Sequence, residues 1–122
     1  MKFLDNFKKN FETSDNSSYQ ELCTHYYRAK QDDAIETVKG LVREFKGKLI
    51  DVNEDFLEIL FEDASYSCTA KITATTPVEV GIDFNIITSG FISFGKGLKL
   101  IKSFYEFLDK KLSLKGISLY RG

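Results

Sequence analysis

The chain has 122 residues and a mass of 14.0 kDa, which suits a single globular domain with its own hydrophobic core. Its composition, 43% hydrophobic and 29% charged, excludes an intrinsically disordered chain. Seventeen basic and eighteen acidic residues leave a net charge of −1, which argues against nucleic-acid binding driven by overall positive charge. We therefore expect one folded domain over residues 1–122.

The first predicted element is a short helix over residues 1–12. Phe3, Leu4, Phe7 and Phe11 recur at helical spacing, with lysines on the opposite side. Because this stripe is short, docking on the body of the domain is favoured over lying on a membrane surface.

A helical segment is predicted over residues 18–46. It opens with a capping-box pattern, Ser18-Tyr-Gln-Glu21, and its apolar stripe lapses midway before it resumes. A second capping pattern, Asp33-Ala-Ile-Glu36, stands at the lapse. One bent helix and two separate helices both fit, and two helices are favoured.

Residues 48–88 predict a four-stranded antiparallel meander. Short strands are predicted over 48–52 and 56–62, and two longer runs then alternate between apolar and polar residues, separated by Pro77. Such alternation places one face of a sheet on the core and the other in solvent. The side chains expected in the core are Tyr66, Cys68, Ala70, Ile72, Ala74, Val78, Val80, Ile82, Phe84 and Ile86.

A long helix is predicted over residues 97–112, since its apolar side chains form a wide stripe suited to lying on a sheet. Gly116 is expected to end it, and residues 117–120 are predicted as an edge strand or an ordered tail. This order predicts an α+β fold, a two-layer sandwich with the long C-terminal helix packed on one sheet face. It is similar to the order in small two-layer domains such as secretion chaperones and toxin-immunity proteins.

Sorting signals and cysteine usage predict a cytoplasmic protein. The N-terminal stretch lacks the apolar region of a signal peptide, and no segment approaches the roughly 18 apolar residues that span a membrane. Cys23 and Cys68 each lie in an apolar pattern, which predicts two buried, reduced thiols. His25 would point away from Cys23 on a helix, so we expect neither a metal site nor a cofactor.

One glycine-rich motif, Gly90 to Gly97, matches most of a phosphate-binding P-loop. Glycine stands where Mg²⁺ binding needs Ser or Thr, and too little chain follows for a parallel α/β sheet, so a P-loop nucleotidase is rejected. A weaker prediction is that Gly95, Lys96, Gly97 and Lys99 bind an anion at the start of the last helix. The favoured alternative is that these glycines only turn the chain from strand to helix.

Charge is divided unevenly along the chain. Six acids and no basic residue lie between Lys48 and Lys71, whereas six lysines and two acids lie from Lys96 to Lys115. By default these segments are two solvated faces. Alternatively, they are opposite poles that steer a charged partner or pair head-to-tail with another copy.

No catalytic arrangement stands out. Glu58 and Glu62, and likewise Glu79 and Asp83, lie four residues apart on predicted strands, roughly 13 Å by strand rise and too far for an acid–base pair. His25 is expected at a helix surface or half-buried rather than as a general base. The open sheet face carries threonines and no aromatic residue, which makes it a poor platform for RNA.

The sequence therefore favours a non-catalytic protein-interaction module, chaperone-like or immunity-like, that binds a protein partner or forms a homodimer. We expect no nucleic acid, membrane or cofactor as its partner. The alternative is a small anion-binding protein or enzyme that uses the Gly95-Lys96-Gly97 entrance of the last helix, so enzymatic activity stays open.

Overall fold

The structure is a computed structural model that describes residues 9–88 and 93–117. Seven strands form one antiparallel sheet. The strands are β1 (Lys9–Glu12), β2 (His25–Arg28), β3 (Lys48–Asn53), β4 (Glu58–Asp63), β5 (Tyr66–Thr76), β6 (Glu79–Thr88) and β7 (Ser113–Ile117). The helices are α1 (Gln31–Glu44) and α2 (Phe94–Lys111), and a 3₁₀ turn spans Gln20–Leu22. The predicted α+β fold is confirmed, including the long C-terminal helix and the four meander strands, to which three short strands are added.

The strand order is β3-β4-β5-β6-β2-β7, and β1 also pairs with β6. Because β5 pairs with β6 along almost its whole length, β1 and β2 share the remaining edge of β6. β1 pairs with residues 85–88 and β2 with residues 80–82, so these two strands lie end to end with a gap between them.

The core lies between the helices and one face of the sheet. Phe104 of α2 is at its centre, with ring centroids 5.8 Å from Phe61, 5.3 Å from Phe84 and 5.0 Å from Phe45. The predicted core residues of β5 and β6 that are buried are Tyr66, Cys68, Ala70, Ile72, Val80, Ile82, Phe84 and Ile86. Ala74 and Val78 are exposed instead, because Ala74 adjoins a break in the β5–β6 register and Val78 lies in the turn.

The predicted helix over residues 1–12 is wrong where the structure describes it. Lys9–Glu12 form β1, and Phe11 is buried in that strand. A strand of four residues places only two side chains on each face, which is too few to reveal a period of two. Residues 1–8 lie outside the described part of the chain.

The helical segment predicted over residues 18–46 is correct only for its second half, where a single helix, α1, begins at Gln31. The pattern at Ser18 precedes a single 3₁₀ turn and not an α-helix. The pattern at Asp33 lies inside the first turn of α1, where acidic side chains interact favourably with the positive end of the helix dipole.

The segment predicted as the first helix instead contains β2, whose side chains are buried on both faces of the sheet. His25 and Tyr27 point to the helices, whereas Tyr26 lies on the other face over Gly81. The Tyr26 hydroxyl donates to Asp15 Oδ2 at 2.7 Å, in the loop that follows β1. With apolar residues on both faces, the strand shows no alternation that distinguishes it from a helix.

The C-terminal helix begins earlier than predicted, at Phe94, because the Ser93 hydroxyl accepts a hydrogen bond from the Lys96 amide at 3.1 Å. The helix ends at Lys111, and Gly116 does not terminate it. Gly116 lies in β7, which pairs with β2. The residues of the glycine-rich motif at 90–92 and of the predicted tail at 118–120 lie outside the described ranges.

Gly97 marks the closest approach of α2 to β1. A Cβ at this position would lie 2.1 Å from Cζ of the Phe11 ring, so the contact requires glycine. Gly95, two residues earlier in the helix, has no atom within 4 Å of an added Cβ. Within the described ranges, neither helix is long and apolar enough to span a bilayer.

Gly97→Ala is expected to lower the free energy of unfolding by about 1–3 kcal/mol, because the Phe11 ring must shift. Gly95→Ala is the matched control and should raise that free energy by about 0.5–1 kcal/mol, since it removes chain entropy from the unfolded state. Urea unfolding of both variants beside the parent chain measures these changes. Equal stability of the two variants would contradict the contact.

Candidate functional site

The gap between β1 and β2 is filled by polar side chains. Thr13 follows β1 and Thr24 precedes β2, and the hydroxyls of both donate to Asp83 Oδ1 at 2.6 Å. The Thr13 amide also donates to the Phe84 carbonyl, and the Phe84 amide donates to Thr13 Oγ1, both at 2.9 Å. The ends of both short strands are therefore attached to β6 at one point.

Tyr105 of α2 reaches this gap from the helix side. Its hydroxyl donates to the Ile82 carbonyl at 2.7 Å and lies 3.1 Å from Thr13 Oγ1. Burial raises the pKa of Tyr105 well above its ordinary value and also raises the pKa of Asp83. Tyr105 is therefore a protonated donor that joins the helix layer to the sheet.

His25 lies beside this network on the helix side of β2. Its Nδ1 is 3.0 Å from Asp109 Oδ1, and the Tyr27 hydroxyl donates to the same oxygen at 2.6 Å. The imidazole stacks on Tyr105, with ring centroids 3.7 Å apart and planes inclined by 6°. His25 lies in a strand and is only 7% exposed, so the expectation of a helix-surface or half-buried histidine is wrong.

A histidine oriented by a carboxylate is also the arrangement of many general bases. Burial lowers the pKa of His25 although its bond to Asp109 opposes this, so the imidazole is neutral near pH 7. The adjoining cavity of about 180 Å³ is also lined by Glu21, Lys102 and Glu106, and its described lining includes no Ser, Thr or Cys. Without such a nucleophile, we interpret the His25–Asp109 pair as a structural contact between β2 and α2.

Glu79 ties the start of β6 to β7. Its carboxylate accepts hydrogen bonds from the Lys115 ammonium and, at 2.6 Å, from the Thr75 hydroxyl. The hydrogen bond from Lys115 holds the pKa of Glu79 below its ordinary value. Asp83 is bound by other partners, so these two carboxylates share no site.

Both cysteines are free thiols and both are buried, as expected from their apolar surroundings. Burial raises the pKa of Cys68, which keeps this thiol protonated and unreactive. Among the described residues, no group of three or more His, Cys, Asp or Glu side chains is placed to hold a metal ion.

The predicted anion-binding residues lie in the first turns of α2, where Gly95, Lys96 and Lys99 are exposed. The Lys96 amide, one of the donors that an anion would need, is already bound to the Ser93 hydroxyl. Gly97 is buried against β1 and therefore has a packing role. Anion binding by Gly95, Lys96, Gly97 and Lys99 stays a prediction.

The strand path ends in two edge strands, β3 and β7, each of which has one side without a partner strand among the described residues. Within the described ranges, β3 pairs only with β4, and β7 pairs only with β2. On β3, Leu49 and Ile50 are each 44% exposed; on β7, Leu114 is 39% and Ile117 is 41% exposed. Another strand can add to an edge strand that exposes aliphatic side chains and unpaired backbone groups.

The acidic segment lies at the β3 end of the sheet, whereas the basic segment consists of α2, which crosses the sheet from β1 and β6 to β7, and of β7 itself. The β3–β4 hairpin, residues 48–63, contains six carboxylates and one lysine, whereas α2 and β7 together contain six lysines and two carboxylates. α2 packs beside β1, β6 and β7, and α1 packs over β3 to β6. A shallow groove of about 380 Å³ runs along β3 and its turn, and it is lined in part by Asp51, Glu54 and Asp55.

The carboxylates of β4 contribute less to this acidity than those of β3 and its turn. In cross-strand register, Glu58 lies opposite Lys71 of β5, and Glu62 lies opposite Lys48 of β3. Opposite charges at such positions offset each other. The remaining acidity of the hairpin is therefore at Asp51, in the turn and at Asp63, which lies opposite Tyr66.

Comparisons with protein-family models, with curated proteins and with solved structures gave no match for this chain. A two-layer α+β domain serves many unrelated functions, so the fold assigns none by itself. In the described part of the chain, β1 also pairs with a single strand, but β3 and β7 are the strands that end the strand path, and acidic and basic residues respectively lie beside them.

Thr13→Val should lower the free energy of unfolding by about 2–3 kcal/mol, because the Phe84 amide loses its side-chain acceptor and Asp83 keeps only one of its two hydroxyl donors, Thr24. Thr73→Val, on the exposed face of β5, is the matched control and should change that free energy by less than about 0.5 kcal/mol. Urea unfolding measures both. If Thr13→Val were as stable as Thr73→Val, the Thr13 hydroxyl would not contribute to the stability of the contact between β1 and β6.

His25 should titrate below its ordinary value of 6.5, because burial disfavours the imidazolium. As pH falls below 6.5, the unfolded chain binds a proton that the folded chain binds more weakly, so stability decreases. Asp109→Asn removes the group that raises this pKa and should lower it further. His25 is the only histidine, so an NMR titration of its ring is read directly, and a pKa above 6.5 would refute this account.

Proposed function

We propose that this chain is a cytoplasmic, non-catalytic protein-interaction module that binds its partner along β3, the acidic edge of the sheet. The observation that carries the proposal is the outer edge of β3, which pairs with no strand of the described residues and on which Leu49 and Ile50 are exposed beside Asp51. The partner we propose is a basic, extended segment of a protein that adds to the sheet as a further strand.

Strand addition supplies both affinity and selectivity. Backbone N–H and C=O groups on the open side of β3 bind the backbone of an added strand, and the exposed Leu49 and Ile50 are covered at the same time. A bulge interrupts the β3–β4 register between Leu49 and Asp51. Bulges and lysines on an edge limit indiscriminate pairing, so a partner strand must fit this interrupted edge.

Charge selects among the strands that fit. A basic segment approaches the acidic hairpin with a favourable field, whereas an acidic one is repelled. The carboxylates of Asp51, Glu54 and Asp55 line one continuous groove at this edge. This arrangement supports a partner in which lysine or arginine alternates with aliphatic residues.

The non-catalytic part of the proposal rests on how the polar side chains are used. Asp83 and Tyr105 hold the junction at β6, and Glu79 holds β7. His25 is stacked and bound to Asp109, beside a small cavity. These groups are engaged in structural bonds, so turnover of a substrate that depends on His25, Glu79 or Asp83 would overturn the proposal.

A synthetic peptide of alternating lysine and valine tests this function, with a glutamate–valine peptide of the same length as control. The basic peptide should shift the backbone amide signals of residues 48–53 in NMR spectra, and the acidic peptide should not. Ile50→Lys should weaken binding about ten-fold, because it places a charge on the docking edge. Ile87→Lys, at an aliphatic residue of β6 that is exposed to a similar extent, should leave binding unchanged.

Shifts confined to residues outside the β3–β4 hairpin, or equal binding of the two peptides, would contradict the proposal. High salt is a further check, because screening of the acidic groove should weaken binding of the basic peptide to the parent chain and to Ile87→Lys alike.

A further inference from the structure

We infer that the partner strand is β7 of a second copy of this chain, so that copies pair head-to-tail, β3 against β7. This inference rests on the proposed role of β3 as the docking edge. It names the occupant of that edge from features of the chain itself.

Strand direction makes such pairing compatible with the sheet. Six strands lie on the path from β3 to β7, and each neighbouring pair is antiparallel. The two end strands therefore run in opposite directions. A second copy placed beside the first in the same orientation presents its β3 antiparallel to β7, with the helices of both copies on the same face.

The side chains of the two edges are of matching kinds. β3 exposes Leu49 and Ile50, and β7 exposes Leu114 and Ile117 to similar extents. Joining the edges would cover both pairs and would satisfy the open backbone groups of both strands. Neither edge is long, so the contact needs matched chemistry on both sides.

Charge favours the mixed pairing over symmetric ones. Joining β3 to β3 would bring together two hairpins that each hold six carboxylates and one lysine, and joining β7 to β7 would bring together two lysine-rich ends. Joining β3 to β7 places Asp51 and the acidic turn near the end of α2, where Lys110 and Lys111 are exposed. Like charges oppose both symmetric contacts, and opposite charges favour the mixed one.

Head-to-tail contacts join different surfaces, so each copy keeps one free edge after pairing. The assembly therefore grows with concentration unless its geometry closes a ring. This property allows the two edges to be blocked separately. A variant whose β3 edge is blocked and a variant whose β7 edge is blocked should therefore pair with each other through their unblocked edges.

The test uses Ile50→Lys to block β3 and Leu114→Glu to block β7, in sedimentation velocity at increasing concentration. The parent chain should form dimers and larger species at low salt, and these should dissociate at high salt. Each variant alone should remain monomeric. An equimolar mixture should form a 1:1 dimer and nothing larger, since the remaining edges are blocked.

Ile87→Lys, on β6 and away from both edges, is the control for an added surface charge and should associate like the parent. Circular dichroism establishes that each variant is folded. If Leu114→Glu fails to fold, Lys110→Glu replaces it, paired with Asp51→Lys. Each of these two should weaken association about five-fold alone, and mixing them should restore it, because the charges at one contact are exchanged.

A parent chain that stays monomeric at every concentration overturns the inference. So does a single variant that still dimerises alone, since that result shows symmetric pairing through the unblocked edge. Binding of the lysine–valine peptide to a monomeric chain would leave the proposed function standing with a different partner. Loss of both peptide binding and self-association would refute the proposed function as well.

Discussion

The fold depends on how the gap between β1 and β2 along β6 is closed. One carboxylate, that of Asp83, accepts hydrogen bonds from Thr13 at the end of one strand and from Thr24 before the other. Tyr105 enters from α2 and binds the Ile82 carbonyl at the same point. Two short strands and a helix thus share one junction, which fixes the N-terminal part of the chain relative to the sheet and the helix layer.

This junction also determines where the sheet ends. β2 is fixed beside β6 by the junction and to α2 by the His25–Asp109 contact, and β7 in turn pairs with β2. The polar groups that resemble catalytic residues therefore lie in the interior of the sheet, where they bind one another. Among the described residues, the outer edges of β3 and β7 keep unpaired backbone groups, and carboxylates predominate beside β3 whereas lysines predominate on α2 and β7.

Sequence reasoning succeeded where the pattern of one segment determines its structure. β5 and β6 alternate over ten or more residues, and α2 carries an apolar stripe of several turns, so both were predictable. β1 and β2 have four residues each, too few to show a period. The partners at the junction are 70 and 59 residues apart in sequence, and no local signal connects them. The charged segments were visible in the sequence, but their position at sheet edges required the strand order.

The long separations at the junction have a consequence for how the chain folds during synthesis. Thr13 meets Asp83 and Tyr105, and His25 meets Asp109, across 70 to 92 residues. Closing such long loops costs entropy before any contact forms, which slows folding. The meander and α1 can assemble as they leave the ribosome, whereas β1 and β2 must wait for β6 and α2. β1 and β2 are therefore made well before the strand and the helix that hold them in place.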